Sequence, residues 1–188
     1  MTNNGFIRKL NDALTVPTCY ALGCFGQVMT DAVISQKKKQ YPDWYNKNGA
    51  KVKIGEFGFD CICFIKAILW GWTPDHNAIY ESNGVPDVTE EQMLAYCDQL
   101  SDNMDSIEAG EYLWKKGHCG IYIGGNKVIH CTTGNNWGVC VTTIGDFSPL
   151  KHGKLKWIDY SDNEPGCKEK CLDAIALVYK YVKENWGK

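Results

Sequence analysis

Apolar residues are densest over 61–70, where the chain is apolar on every side except at Lys66. Asp60 precedes this run at a position where its side chain can cap a helix, and Gly71 follows it as a helix-ending residue. A helix that is apolar all round is normally buried. The pattern therefore predicts a central, buried helix over 61–70.

The rest of the chain shows weaker patterns. Helices are predicted over 6–14 and 30–40, separated by a loop-like stretch at 20–24. Residues 72–87 are rich in Gly, Pro, Asn and Asp and predict a surface loop. Thr89 and Gln92 then form a capping box, which predicts a helix reaching about residue 100.

Alternating and β-branched or aromatic residues follow in the second half of the chain. They predict strands over 111–114, 118–123, 127–132 and 139–144, with residues 124–126 as a hairpin turn between the middle two. Helices followed by an antiparallel sheet define an α+β fold.

The last segment, 166–185, places Cys171, Ile175, Val178 and Val182 along one helical face. We assign residues 1–162 to one domain. We interpret residues 163–188 as a helix that either packs on this domain or leads to a missing module.

Composition narrows the class of protein. A chain of 188 residues with 44% hydrophobic residues can bury one core, which excludes intrinsic disorder. The net charge of -2 lacks the basic excess of a nucleic-acid binder, so no nucleic-acid partner is expected. The lysine run 37–39 is interpreted as a solvated helix face. No apolar stretch is long enough to cross a bilayer, so no membrane partner is expected either.

Ten cysteines are present, without any Cys-x-x-Cys pair. We expect most of them to be reduced and buried as small hydrophobic residues. Residues 1–12 are polar and show no secretory signal. These features predict that the protein is made in the cytoplasm.

Cys61 is a candidate nucleophile because it directly follows the predicted helix cap. The helix dipole and the free N–H groups at a helix start favour a thiolate. Most of the ten cysteines must nevertheless be inert, so position alone does not decide its role.

Two histidines strengthen the assignment. His118 and His130 lie twelve residues apart in the two strands of the predicted hairpin. With an odd loop length, both point to one face of the sheet, while Cys119 and Cys131 point to the other. His118 can then take the Cys61 proton, and His130 can orient the far ring nitrogen of His118.

A zinc site is the competing interpretation, since two histidines and two cysteines fall within fourteen residues. Strand alternation opposes it, because adjacent residues face opposite sides of the sheet. We therefore expect no metal and no cofactor. Phosphate-loop, serine-nucleophile and His-Glu-x-x-His motifs do not occur.

Several segments together resemble the NlpC-type cell-wall peptidase family. They are Phe59-Asp60-Cys61-x-x-Phe64, Ala109-Gly110-Glu111, the stretch 117–124, and Val128-Ile129-His130. The resemblance covers roughly residues 6–160 and is closest to endolysins of phages infecting Gram-positive bacteria, which share stretches similar to 68–72 and 82–87.

This resemblance implies a papain-like NlpC-type fold, with a nucleophile helix packed on a central antiparallel β-sheet. It implies Cys61 as nucleophile, His118 as general base and His130 as the orienting residue. Tyr20 lies in a segment similar to the family's Tyr-x-x-Gly-Gly and is expected to support the oxyanion site. The usual Asp-Cys-Ser-Gly is here Asp60-Cys61-Ile62-Cys63, so an oxyanion contribution at that step would rest on backbone N–H groups.

The expected function is therefore a monomeric peptidoglycan hydrolase, similar to phage endolysins, that stays in the cytoplasm until release and then acts on the cell wall. The cut bond is either an endopeptidase bond, commonly after D-glutamate, or the amidase bond between muramic acid and L-alanine. A catalytically dead wall-binding module and a host-acting relative of the fold remain alternatives.

Overall fold

The computed structural model describes residues 1–134 and 136–161. Within these ranges the helices are α1 (Asn3–Asp12), α2 (Asp31–Gln40), α3 (Pro42–Asn48), α4 (Cys61–Leu69) and α5 (Ile144–Phe147). The strands are β1 (Thr18–Tyr20), β2 (Phe25–Val28), β3 (Phe57–Phe59), β4 (Cys97–Ser101), β5 (Tyr112–Lys115), β6 (His118–Gly124), β7 (Lys127–Thr132), β8 (Gly138–Thr143) and β9 (Lys151–Leu155). The predicted α+β class is confirmed.

The main sheet has six strands in the order β4-β9-β5-β6-β7-β8. Each neighbouring pair is antiparallel, as the sequence predicts for this half of the chain. A small sheet has the order β1-β3-β2, with β3 parallel to β1 and antiparallel to β2.

Helix α4 lies at the centre of the core, as predicted. All nine of its residues are buried, and it packs against β6 and β7. The Asp60 side chain caps its start by accepting from the Cys63 N–H. Phe6 and Leu10 of α1 belong to the same apolar core. A nucleophile candidate at the start of α4 therefore sits on a rigid, fully packed element.

The small sheet leads the chain into α4. Its central strand β3 ends at Phe59, directly before the capping residue Asp60. Tyr20, the last residue of β1, pairs with Phe59 in the parallel register. This pairing brings the end of β1 beside the start of α4.

One local prediction is wrong. Thr89 and Gln92 do form the capping box, with both reciprocal backbone-to-side-chain hydrogen bonds present. The helix predicted to reach residue 100 is only a 3₁₀ turn at Gln92–Tyr96, and the chain then continues as β4. Pairing of β4 with β9 outweighs the local helix signal.

The other differences are shifted bounds and elements that the sequence did not predict. Helix α1 begins at Asn3 rather than at residue 6, because the Thr2 side chain caps it. Strands β1, β2, β3 and β9 have no counterpart among the predicted elements. The predicted C-terminal helix over 166–185 lies outside the described residues. In the described ranges, every helix is too short or too polar to span a bilayer.

Candidate active site

Cys61 is the first residue of α4 and lines a cavity of about 940 Å³. Its side chain is buried except for a 7% exposed fraction. Tyr20 and Gly117 line the same cavity from β1 and from the turn before β6. The thiol is thus open to a ligand in the cleft and shielded from bulk water elsewhere.

The pKa of Cys61 is lowered to about 4. The largest cause is a hydrogen bond with the Cys119 side chain, and a hydrogen bond with His118 and its positive charge act in the same direction. Burial opposes these effects, and the Ile62 backbone N–H adds to them. Cys61 is therefore a thiolate at neutral pH, which is the nucleophilic form.

His118 and His130 lie on one face of the β6–β7 hairpin, as the spacing predicts. Ile121 pairs with Ile129 and Tyr122 with Val128, and cross-strand partners point to the same face. Residues of the two strands that are an even number of positions apart, such as His118 and His130, therefore share a face. The Nε2 atom of His118 is 2.7 Å from the Nδ1 atom of His130. The far-nitrogen contact between the two rings is confirmed.

The contacts of the two rings are compatible with one pair of tautomers, in which His130 carries its proton on Nε2, near the Thr142 hydroxyl and the Cys140 thiol. Burial and, to a smaller degree, the charges of His118 and Lys115 together lower the pKa of His130 to about 4. His130 is therefore neutral at pH 7, and its Nε2 lies 3.2 Å from the Thr142 hydroxyl. With the Nε2–H donated to Thr142, Nδ1 accepts from His118 Nε2–H. This leaves His118 Nδ1 as the nitrogen available to Cys61.

The Phe147 ring packs against both imidazoles, and Gly120 leaves space for it. The Phe147 ring is buried and lies with its centroid 5.4 Å from that of His118 and 5.1 Å from that of His130. A Cβ atom at Gly120 would lie 2.8 Å from Val128 Cγ1 and 3.1 Å from Phe147 Cε2. The glycine of the His118-Cys119-Gly120 sequence therefore makes room for the ring that shields the histidine pair.

Tyr20 directs its hydroxyl to Cys61. Burial raises the pKa of Tyr20, and the negative charge of Cys61 together with a hydrogen bond to it raises the pKa further. Asp60 fixes the intervening backbone, because its carboxylate accepts from Cys63 N–H at 2.7 Å and from Gly23 N–H at 2.9 Å. All four predicted site residues, Cys61, His118, His130 and Tyr20, thus meet at one place.

Cys119 is the site residue that the sequence interpretation missed. Cys119 is fully buried and faces α4, as strand alternation predicts for a core residue. The part of α4 that it contacts is the first residue, Cys61, so Cys119 also belongs to the site. Burial raises the pKa of Cys119 far above its usual range, and the hydrogen bond with Cys61 raises it further. Cys119 is therefore a thiol that donates to the Cys61 thiolate.

The metal interpretation receives no geometric support in residues 1–134 and 136–161. No group of three or more His, Cys, Asp or Glu side chains there is arranged to hold a metal ion. Cys131 is buried on the α4 side of β7, and its thiol donates to the Phe59 carbonyl. His130 lies on the opposite side with Phe147, as the alternation argument predicts.

The Ala109-Gly110-Glu111 segment lies outside the residues that line the cavity. Glu111 is hydrogen-bonded to His152, and both side chains are 3% exposed. Gly110 has a φ of 91° and would place a Cβ directly on the Asn3 side chain. These residues join β5 to β9 and to the start of α1, which is a packing role.

The cavity walls carry charges of both signs. On one wall, the buried Lys66 pairs with Asp87, which also accepts from the Tyr80 hydroxyl at 2.8 Å. Lys37 also lines the cavity and is only partly exposed. The interpretation of the lysine run as a solvated helix face is therefore wrong for Lys37, since its ammonium group turns inward.

Together these groups form a thiolate, an imidazole beside it, and a second imidazole that orients the first. This arrangement is suited to nucleophilic attack on a carbonyl carbon followed by proton transfer to the leaving group. It requires no further group to activate the nucleophile.

Comparisons with known proteins show a distant structural likeness. No protein-family model matches the chain, and no curated protein matches it. Among solved structures, the chain is similar to NlpC1 from Trichomonas vaginalis, at 18% identity and a TM-score of 0.42. The match covers 82% of this chain and 45% of that protein, so the chain spans less than half of its length.

Proposed function

We propose that this protein is a peptidoglycan hydrolase with a papain-like, NlpC-type arrangement, and that it acts as an endolysin. In this proposal it cleaves an amide bond of the wall's stem peptide through Cys61, His118 and His130. The observation that supports the proposal most strongly is the 2.7 Å contact between the two histidines, beside a cysteine at a helix start in an open cleft.

In the acylation step, the Cys61 thiolate attacks the carbonyl carbon of the scissile amide and forms a C–S bond. The carbonyl oxygen becomes an oxyanion, which the Cys61 backbone N–H and the Tyr20 hydroxyl stabilise. The tetrahedral intermediate collapses as the C–N bond breaks, and the His118 imidazolium gives its Nδ1 proton to the leaving amine.

In the deacylation step, His118 Nδ1 takes a proton from a water molecule that attacks the thioester. The C–S bond breaks, the acyl group leaves as a carboxylic acid, and the Cys61 thiolate returns. His130 accepts from His118 Nε2–H throughout and stays neutral, because its own pKa is about 4. Its function is to keep Nδ1 of His118 directed at the sulfur.

The direct test is mass spectrometry of the fragments released from purified cell walls. The wild type should release stem-peptide fragments, and Cys61→Ala should release none. Cys97→Ala is the matched control, because Cys97 is a half-buried free cysteine on β4, outside the cleft residues. An unchanged release by Cys61→Ala, or no release by the wild type, would contradict the proposal.

The same fragments identify the bond. A new amino group on L-alanine indicates amidase cleavage, whereas a new amino group on the residue after D-glutamate indicates endopeptidase cleavage. A catalytically dead binding module would give neither product.

Chelation of metal ions with EDTA should leave the release unchanged, because a thiolate and an imidazole perform every step. Loss of activity that zinc restores would support the metal interpretation instead.

Localisation is also part of the proposal. We infer that the protein accumulates in the cytoplasm and reaches the wall after a membrane lesion. The eight free cysteines of the described ranges are compatible with a reducing compartment. Expression in a Gram-positive host should cause lysis only together with a pore-forming holin, and Cys61→Ala should abolish that lysis. Lysis without the pore would contradict the endolysin role.

A further inference from the structure

Lys37 occupies a fixed position in the cleft. Its Nζ atom donates to the Gly23 carbonyl at 2.6 Å and lies 5.9 Å from the centroid of the Phe25 ring. The Gly23 N–H in turn donates to the Asp60 carboxylate, directly before Cys61. One residue of backbone therefore separates the ammonium group from the cap of the nucleophile helix.

The Lys37 charge is not neutralised by a neighbouring carboxylate. Lys66, the other cation that lines the cavity, is buried against Asp87 and also donates to the Val88 carbonyl. The ion pairs formed within residues 1–134 and 136–161 do not include Lys37. The Lys37 ammonium group thus has two N–H donors beyond the one bound to Gly23, and no ion pair within the described ranges engages them.

Polar side chains adjoin Lys37 in the cavity. Gln40 and Tyr41 line the cavity beside it, and the Tyr41 ring lies against Gly23. Burial acts to raise the pKa of Asp87, but the hydrogen bonds from Lys66 and Tyr80 and the charges of Lys66 and, last, Lys37 lower it. A partly desolvated ammonium that is held in place is suited to a charge-assisted hydrogen bond with an anion.

We propose that Lys37 is a specificity-determining residue that binds a carboxylate of the substrate next to the amide that Cys61 attacks. This inference rests on the proposed amide-hydrolase function. It predicts that the enzyme distinguishes a stem peptide with a free carboxylate at that position from the same peptide with a carboxamide. Amidation of the wall peptide would then protect it from this enzyme.

The first test compares two peptides that contain a γ-linked D-glutamyl residue and differ only in its α-carboxylate or α-carboxamide. The wild type should show a kcat/KM about tenfold higher for the carboxylate, mainly through KM. Lys37→Met should abolish the preference, so that the ratio of kcat/KM for the carboxylate peptide to kcat/KM for the carboxamide peptide falls about tenfold, to near one. Because α2 has no buried residue, this variant should fold.

Lys38→Met is the matched control. Lys38 is the next residue of α2, is exposed, and is outside the residues that line the cavity. It should keep the tenfold preference of the wild type, which separates the local contact from a general loss of positive charge. A preference that survives Lys37→Met, or one that is absent from the wild type, would overturn the inference.

The second test does not depend on peptide cleavage. Iodoacetate and iodoacetamide both alkylate a thiolate with loss of iodide, but only iodoacetate carries a carboxylate. The ratio of their rates at Cys61 should fall about fivefold in Lys37→Met and stay unchanged in Lys38→Met. If neither peptide is cleaved but this ratio falls, the proposed function fails while the anion site stands. An unchanged ratio overturns the anion site.

Discussion

His118 Nε2 and His130 Nδ1 are 2.7 Å apart across the β6–β7 hairpin. Because His130 also reaches the Thr142 hydroxyl on β8, three neighbouring strands fix the orientation of one imidazole. In the proposed mechanism, His118 therefore presents the same nitrogen to Cys61 before and after each proton transfer.

This contact predicts a graded series of His130 variants. His130→Ala should lower the rate of wall hydrolysis by about a hundredfold, because His118 loses its orienting acceptor. His130→Asn should retain more activity, since its amide oxygen can accept from His118 Nε2–H. Initial rates of wall hydrolysis check the order. His76→Ala, in an exposed loop, is the matched histidine control, and equal rates for all three variants would contradict the orienting role.

The pH dependence of alkylation follows from the low pKa of Cys61. The thiolate is the reactive form, so the rate with iodoacetamide should stay near its maximum at pH 6 and fall only as the pH drops through about 4. Burial raises the pKa of Cys97 to about 12, so Cys97 should react slowly at the same pH. Peptide mapping at a series of pH values measures both. Equal rates for the two cysteines at pH 6 would exclude an activated Cys61.

Tyr20→Phe tests the phenol that donates to the thiolate. Without this hydrogen bond, the midpoint of the Cys61 alkylation profile should rise by about one pH unit. Hydrolysis should also slow, because the oxyanion loses a donor. Tyr122→Phe removes a hydroxyl that accepts from the Asn126 N–H and should leave the midpoint where it is. If the pH profile of Cys61 alkylation in Tyr20→Phe matched that of the wild type, Tyr20 would not donate to the thiolate.

Glu111→Ala tests whether Glu111 of the Ala109-Gly110-Glu111 segment stabilises the fold or takes part in catalysis. It leaves the buried His152 without its carboxylate partner and should lower the free energy of unfolding by about 3 kcal/mol. Urea denaturation measures the loss. The alkylation profile of Cys61 in the folded variant should match that of the wild type, and a shifted profile would place Glu111 in the catalytic network.

The parts of the site that the sequence predicts are those encoded by short-range geometry. The cap at Asp60 and the apolar run after it define α4 without any distant contact. Strand parity places His118 and His130 on one face, and the hairpin register confirms that placement. In both cases the residues involved are close in sequence, so periodicity is enough to relate them.

The parts that the sequence misses depend on distant pairing. Strand β4 replaces a predicted helix because its partner β9 lies more than fifty residues later in the chain, and β1 pairs with β3 across α2 and α3. Cys119 looks like an ordinary core residue until α4 is packed on β6. The inward turn of Lys37 depends on a carbonyl in the turn after β1, which helix periodicity does not describe.

The most direct test of the account is to titrate Cys61 with iodoacetamide at pH 6 and to measure the wall hydrolysis that remains at each degree of modification. Peptide mapping gives the alkylated fraction of Cys61 and of the other cysteines in the same samples. Activity should fall in proportion to the modified fraction of Cys61 and reach zero when Cys61 is fully alkylated. Hydrolysis that persists with Cys61 fully alkylated would contradict its role as the nucleophile.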